Sequence, residues 1–317
     1  MKRIYQELLL AVFLGMVVPG AVLQTAVRRT QAQQSAPIEI VQQTKPATEQ
    51  TIEVLLPDGT VETMNLDVYL VGVVLAEMPA GFETETLKAQ AVVARTYTLK
   101  CAGTGVKHGY GRICTDHSCC QAFTESQTYA GGQEALEKVR SAVYATTGEV
   151  LTYEGELIEA TYFSCSGGTT EDAVAVWGTD FPYLRSVSSP GEEGAAYYTD
   201  SIYLTAEEFQ SRLGRELSGS PKSWLGFTTY TAGGGVNTIR IGNEDYKGTD
   251  IRMKLGLRST AFNMTADANG ITVDTKGFGH RVGMSQYGAD AMAVRGSNYT
   301  DILAHYYQGT ILSTYEN

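Results

Sequence analysis

The sequence has little positive charge for its length. Its 317 residues include 24 lysines and arginines against 35 aspartates and glutamates, for a formal net charge of −11. Nucleic-acid binding depends on clustered basic residues that contact phosphates, so this balance argues against a nucleic-acid partner. Hydrophobic residues make up 43% and charged residues 19% of the chain. These fractions are typical of globular proteins and exclude a disordered chain or a membrane protein with many spans.

Several catalytic motifs are missing as well. The chain contains no H-E-x-x-H and no G-x-x-x-x-G-K-[ST], which argues against a zinc metalloprotease and a P-loop nucleotide site. Ser285 lies in G-M-S-Q-Y-G, whose second glycine comes one position too late for the nucleophile elbow of serine hydrolases. Two other interpretations of this segment stay open. Its glycines permit close backbone packing, or its polar side chains line a groove, namely His280, Ser285, Gln286 and Tyr287.

The five cysteines are odd in number, which argues against a complete disulfide framework. Cys114, Cys119 and Cys120 fall within seven residues, and two of the four histidines, His108 and His117, lie beside them. Thiolate and imidazole are the ligands that tetrahedral zinc prefers, so this segment predicts a structural zinc site that holds a long loop. The alternative is a metal-free loop, either reduced or closed by a Cys119–Cys120 disulfide.

The N-terminal segment contains one long stretch without charge, residues 8–27. Such a stretch is long enough to cross a bilayer core of about 30 Å. A cleaved signal peptide is the alternative, but no A-x-A site stands where cleavage is expected. We therefore predict a membrane anchor or uncleaved signal over residues 1–30 and a flexible Gln- and Pro-rich linker over 31–50. The rest of the chain is expected outside the cytoplasm, held near a membrane.

The remaining region, residues 51–317, predicts an α+β fold of two lobes, in which helices pack on antiparallel strands. Turn signals predict hairpins at 57–59, at Glu154-Gly155 and at Asn269-Gly270. Apolar periodicity predicts helices over 67–78, 82–101, 133–147, 205–217, 249–255, 284–295 and 300–307. The stretch 200–257 is the candidate for the second lobe.

Glu77 is the candidate general acid. It closes an apolar helix and stands just before the helix break at Pro79. Apolar neighbours on one side would raise the pKa of its carboxyl group and keep it protonated near neutral pH. The alternative is an ordinary solvated glutamate in a last helical turn.

Four strings carry a family resemblance. They are residues 69–82 (YLVGVVLAEMPAGF), 87–97 (LKAQAVVARTY), 277–289 (GFGHRVGMSQYGA) and 302–310 (ILAHYYQGT). In this order they resemble the stage II sporulation protein D family and its relative, the amidase-enhancer domain. The resemblance extends from about residue 51 to the end of the chain. Arg281 stands where the family often has glycine.

The resemblance implies a membrane-anchored lytic transglycosylase that cleaves peptidoglycan glycan strands during engulfment of the forespore. It places the catalytic glutamate on Glu77. It also implies a structural zinc ion bound by His108, Cys114, Cys119 and Cys120. The family pattern has a second histidine where this chain has Cys119, so the fourth ligand is open between Cys119 and His117. The implied partners are a sporulation cell-wall amidase and membrane engulfment proteins, with the catalytic region facing the space between the mother-cell and forespore membranes.

A single carboxyl group suffices for this reaction, because the C6 hydroxyl of N-acetylmuramic acid attacks its own C1 and leaves a 1,6-anhydro end. Groove residues would orient the glycan and stabilise the oxocarbenium charge. The candidates are Arg95, Ser164, Ser166, Gln286 and Tyr287. Two rival functions stay open: a non-catalytic glycan-binding activator of a cell-wall amidase, and a zinc-dependent hydrolase.

Overall fold

The computed structural model describes residues 50–315. The predicted anchor, residues 1–30, and all but the last residue of the predicted linker lie outside the described residues. Within 50–315, every helix is too short or too polar to cross a membrane.

The described chain combines helices with several small sheets, so the α+β prediction is confirmed. The helices are α1 (Leu66–Glu77), α2 (Thr84–Thr104), α3 (Gln133–Ala145), α4 (Ala173–Trp177), α5 (Ala206–Leu213), α6 (Gly248–Leu255), α7 (Gln286–Val294) and α8 (Tyr299–Tyr306). The strands are β1 (Thr51–Leu55), β2 (Val61–Asn65), β3 (Arg112–Cys114), β4 (Glu149–Tyr153), β5 (Glu156–Leu157), β6 (Tyr162–Phe163), β7 (Thr199–Thr205), β8 (Leu225–Tyr230), β9 (Val236–Ile241), β10 (Glu244–Lys247), β11 (Ala261–Ala266), β12 (Gly270–Lys276), β13 (Met284–Ser285) and β14 (Ile311–Thr314).

The strands form small sheets in the orders β2-β1-β3, β14-β4-β5, β11-β12-β7, β10-β9-β8 and β13-β6. Most pairs are antiparallel, but β1 pairs with β3 and β6 pairs with β13 in parallel. The short β6–β13 pair joins segments more than a hundred residues apart, with Phe163 opposite Ser285. This pair brings the middle of the chain to the glycine-rich segment near its C-terminus.

Local signals placed the hairpins correctly. β4 and β5 pair around Glu154 and Gly155, which both have positive φ angles of 53° and 84°. β11 and β12 pair around the predicted Asn269-Gly270 turn. The predicted helix over 284–295 begins two residues later, because Met284 and Ser285 are used in β13.

Three apolar clusters form the core. The first packs around α1, α2 and β1, and the second around α2, α7 and α8. The third consists of apolar side chains between residues 204 and 273, which come mainly from β7, α5, β9, α6, β11 and β12. It contains much of the predicted second lobe, 200–257, but β11 and β12 come from beyond that stretch.

Helix α1 has a side-chain cap at its start and ends just before Pro79. The Asn65 side chain caps its start by accepting hydrogen bonds from the amides of Asp67 and Val68. Met78 is extended, as expected for a residue before proline, and Glu77 is the last helical residue. The carboxyl group of Glu77 therefore stands at the edge of a buried apolar helix.

Arg95 was predicted in the substrate groove, and the structure corrects this. Its side chain is fully buried, and Nη2 lies 2.8 Å from Asp67 Oδ1. The guanidinium also donates to the carbonyl oxygens of Glu149 (3.2 Å) and Val143 (3.3 Å). Arg95 therefore ties α1, α2, α3 and β4 together, and it is out of reach of a ligand.

We expect Arg95→Met to lower the free energy of unfolding by about 3 kcal/mol, because it leaves the Asp67 carboxylate without its buried partner. Chemical denaturation would measure this. The matched control is Arg140→Met, which removes an exposed pair with Glu137 and should cost less than about 1 kcal/mol. Equal losses from the two variants would contradict a core role for Arg95.

Candidate active site

Glu77 lines a cleft of about 370 Å³. Its walls come from α1, α2, the loop after β3, the β6 region and the glycine-rich segment before β13. The lining residues are Glu77, Tyr97, His117, Cys120, Thr161, Tyr162, Phe163, Ser164, Phe278, Gly279 and His280. Among these lining residues of the described chain, Glu77 is the single carboxyl group.

Two direct contacts hold Glu77 in place. The backbone amide of Ala122 donates to Glu77 Oε1 at 2.6 Å. The side-chain amide of Gln286 donates to the backbone carbonyl oxygen of Glu77 at 3.1 Å. The carboxyl group is thus fixed from the loop after β3, and its backbone is fixed from the start of α7.

Burial raises the pKa of Glu77 above its ordinary value. The hydrogen bond from the Ala122 amide, together with the nearby Tyr162 hydroxyl and His117, opposes this rise but is outweighed by the desolvation. Glu77 therefore holds its proton to a higher pH than an exposed glutamate does, as a general acid requires.

The loop that carries Ala122 lies directly on α1. Phe123 stacks on Tyr69 with 5.5 Å between ring centroids, and the Thr124 amide donates to the Gly72 carbonyl oxygen at 3.1 Å. A Cβ atom at Gly72 would lie 2.3 Å from the Phe123 ring, so only glycine permits this approach. Gly72, five residues before Glu77, thus lets the loop reach the Glu77 carboxyl group.

Two of the predicted metal ligands, Cys119 and Cys120, lie in this loop, while Cys114 ends β3 and His108 precedes that strand. One ligand atom from each of four residues, His108, Cys114, Cys119 and Cys120, lies within 4.8 Å of all the others. The Sγ atoms of Cys119 and Cys120 lie 3.9 Å apart. They lie 3.3 Å and 3.5 Å, respectively, from His108 Nε2. A zinc tetrahedron has S···S edges of about 3.8 Å and S···N edges of about 3.6 Å, so the donor set fits zinc.

His117 does not belong to this cluster. Its side chain is 83% exposed, and its Nδ1 lies 3.9 Å from Asp116 Oδ1. It lines the cleft instead. The geometry thus favours Cys119 over His117 as the fourth ligand.

Of the other predicted groove residues, Ser164 lines the cleft and three do not. Ser166 is buried, and its hydroxyl donates to Glu192 Oε2 at 2.9 Å. Gln286 is buried, and its side-chain amide donates to the backbone carbonyl oxygen of Glu77. Tyr287 packs edge-on against Phe82, outside the lining of the cleft.

Ser285 is not a nucleophile in this structure. It is fully buried, and its hydroxyl donates to Glu192 Oε1 at 2.6 Å. The same carboxylate accepts from Ser189 at 2.6 Å and from the Ser166 amide at 2.7 Å. The Glu192 network therefore fixes the 164–168 loop. Of the four polar side chains predicted to line a groove, His280 lines the cleft, whereas Ser285, Gln286 and Tyr287 do not.

Arg281, where the family resemblance expects glycine, has a positive φ of 68° and is buried. Its guanidinium donates to Glu171 Oε1 at 3.1 Å and to the carbonyl oxygens of Ser166 and Gly233, both at 2.7 Å. These bonds hold the segment that carries Phe278 and His280 against the 164–168 loop and the Gly233–Gly235 turn.

Sequence reasoning did not identify which aromatic residues line the cleft. Tyr162 and Phe278 lie in different parts of the chain, and the β6–β13 pair and the bridge between Cys165 and Phe278 bring both to the cleft. His280 Nδ1 accepts a hydrogen bond from the Val282 amide at 3.1 Å, which leaves the proton of the neutral ring on Nε2. Burial lowers the pKa of His280 to about 4, so the ring is neutral and cannot serve as a cationic acid near neutral pH.

Known proteins are similar in sequence to most of this chain. Residues 58–153 match the family model described as "Stage II sporulation protein". The chain is 42% identical over 262 residues to "Stage II sporulation protein D" of Bacillus subtilis (strain 168), covering 80% of this chain and 76% of that protein. The same protein of Bacillus amyloliquefaciens is 42% identical over 261 residues. The "Amidase enhancer" of Bacillus subtilis (strain 168) is 31% identical over 303 residues, covering 78% of this chain and 40% of that protein.

We expect Glu77→Gln to stabilise the protein at about pH 7 and to have little effect at about pH 4. Because the folded-state pKa is raised, the ionised carboxylate weakens the fold at pH values above that pKa. Below the pKa of the unfolded chain, about 4.3, the group is neutral in both states and the difference disappears. Thermal unfolding should show a gain of a few degrees (about 2–4 °C) at the higher pH. An equal or larger gain at about pH 4 would contradict the raised pKa.

Proposed function

Since the chain belongs to the stage II sporulation protein D family, we propose that it is a lytic transglycosylase of sporulation. Its substrate is peptidoglycan, whose glycan strands it cleaves after N-acetylmuramic acid during forespore engulfment. The proposal rests on Glu77, which is half-buried and held by the Ala122 amide. Within the described chain, it is the single carboxyl group that lines the cleft.

The number of carboxyl groups favours this reaction over ordinary glycoside hydrolysis. Retaining and inverting glycosidases generally use two carboxyl groups, about 5–5.5 Å or about 6.5–9.5 Å apart, on opposite sides of the scissile bond. The lining of this cleft offers one. A reaction whose nucleophile belongs to the substrate needs no second carboxyl group to activate water.

The steps follow from one group that changes its protonation state. Glu77 donates its proton to the glycosidic oxygen as the bond from that oxygen to C1 of N-acetylmuramic acid breaks. The C6 hydroxyl oxygen then bonds to C1, and the Glu77 carboxylate takes the C6 hydroxyl proton. The products are a free 4-hydroxyl on the next sugar and a 1,6-anhydro end, and Glu77 is protonated again.

The surroundings of Glu77 suit both of its roles. Desolvation keeps the carboxyl group protonated for the first step. After the proton has left, the Glu77 carboxylate stands beside the oxocarbenium charge and stabilises it. The Ala122 amide in turn stabilises the carboxylate by its hydrogen bond. Ser164 is the predicted groove residue placed to contact the glycan.

The proposed zinc ion has a structural role. His108, Cys114, Cys119 and Cys120 would hold it, and four protein ligands fill a tetrahedral site. When bound, zinc would stabilise the turn through Cys119 and Cys120. Ala122 follows Cys120 by two residues, so the same turn sets the position of the amide that contacts Glu77.

The proposed setting is extracytoplasmic, with residues 1–30 as the membrane anchor on the mother-cell side. Peptidoglycan strands are the substrate, and a sporulation cell-wall amidase and membrane engulfment proteins are the partners. An amidase partner is favoured by the likeness to a relative named for enhancing an amidase.

That likeness also supports a second candidate function, a glycan-binding activator of a cell-wall amidase without catalysis of its own. The two functions differ in their products. Anhydro-muramic ends released by the purified protein alone indicate the transglycosylase. Release of stem peptides that rises only when an amidase is added indicates the activator.

We expect Glu77→Gln to abolish the release of anhydro-muramic ends from purified glycan strands, with a rate at least about a hundredfold below wild type, because the variant has no proton to donate. Mass spectrometry of the soluble products would measure this. Glu159→Gln is the matched control, since Glu159 is a partly buried acid outside the cleft lining, and it should retain most activity. Wild-type product formation by Glu77→Gln would refute the assignment.

We expect the purified protein to contain about one zinc ion per chain by elemental analysis. Cys119→Ser should lower this content, and His117→Ala should leave it unchanged, because His117 lies outside the cluster. Loss of zinc should lower the rate without changing the anhydro product, since the metal supports the loop and Glu77 supplies the proton. A hydrolytic, non-anhydro product that vanishes with zinc would instead support a zinc-dependent hydrolase.

A further inference from the structure

Two exposed aromatic rings contact residues that line the cleft. Trp177, at the end of α4, is 42% exposed, and its ring lies 5.3 Å from that of His280. Tyr197, just before β7, is 43% exposed, and its ring lies 5.3 Å from that of Phe278. His280 and Phe278 both line the cleft.

We propose that Trp177 and Tyr197 are sugar-stacking residues that bind the glycan strand beyond the sugars held around Glu77. This inference rests on the proposed function for the identity of the glycan as peptidoglycan. It adds two binding positions and predicts that the protein prefers long strands to short fragments.

The chemistry of the rings suits a sugar. The face of an aromatic ring is electronegative, and the C–H bonds on the face of a pyranose are polarised with positive hydrogen. A solvated exposed ring gains by covering its face with such an apolar, weakly positive surface. Single exposed aromatics are common on proteins, so exposure alone carries no argument. The argument here is that each exposed ring contacts a ring of the cleft wall.

Both rings are held in place before any ligand binds. Trp177 ends α4, and Gly178 closes the helix with a left-handed φ of 76°. The Arg258 guanidinium lies over the Tyr197 ring, 5.4 Å from its centroid, and Arg258 is itself 3.4 Å from Asp200. Ordered side chains lose little entropy on binding, so such rings favour affinity.

Both rings adjoin the same wall of the cleft. Phe278 and His280 are separated by one glycine and belong to the same cleft wall. Tyr197 contacts Phe278, and Trp177 contacts His280. A glycan strand that follows this wall would reach the two added rings next to Phe278 and His280.

The test is binding of purified, peptide-free peptidoglycan strands of graded length, measured by calorimetry with Glu77→Gln protein so that no strand is cut. We expect Trp177→Ala and Tyr197→Ala each to raise the Kd for long strands about five- to tenfold and to leave the Kd for a disaccharide unchanged. Trp177→Phe and Tyr197→Phe, which keep a ring, should recover most of the affinity. The matched control is Tyr144→Ala, which removes a ring of 47% exposure outside the cleft lining and should change neither Kd.

Unchanged affinity for long strands in both alanine variants would overturn the proposal. So would an equal loss for the disaccharide and the long strand, because that pattern indicates a distorted cleft. Loss of amidase stimulation with unchanged strand binding would overturn it too and would assign the rings to a protein partner. Length-dependent binding by a protein that yields no anhydro ends would refute the proposed activity and leave this inference standing.

Discussion

The hydrogen bond from the Ala122 amide to Glu77 Oε1 is the contact on which the site depends. It joins the end of a buried helix to the loop that carries Cys119 and Cys120, two of the four potential metal ligands. A carboxyl group at a helix end would otherwise be free to turn into solvent and titrate like any surface acid. With this bond, the group stays in the cleft, where desolvation outweighs the opposing hydrogen bonds and raises its pKa.

Features encoded by neighbouring residues could be predicted from the sequence. The turn pairs at Glu154-Gly155 and Asn269-Gly270 specify hairpins, and Pro79 specifies where α1 ends. The cysteines and histidines are close in the chain, so their clustering alone indicated a metal site, while the choice of ligands came from the family resemblance. The same resemblance assigned Glu77, because a glutamate at the end of an apolar helix is equally typical of an ordinary solvated side chain.

Features that depend on distant segments could not be predicted in this way. Arg95 and Gln286 are polar residues of the family motifs, Ser166 is a polar residue between those motifs, and polarity alone suggested a groove. Their burial follows from partners far along the chain, such as Asp67 for Arg95 and Glu192 for Ser166. The aromatic wall was missed for the same reason, since Phe278 reaches the cleft through its bridge to Cys165.

Arg281 shows how the residue allowed at one position can depend on a partner elsewhere in the chain. A left-handed backbone at a non-glycine residue costs about 1–2 kcal/mol, which the bonds of its guanidinium offset. Glycine would relax that backbone but would leave the buried Glu171 carboxylate without its cation. Positions 171 and 281 are consequently expected to covary among homologues, with an acid at the first wherever the second carries arginine.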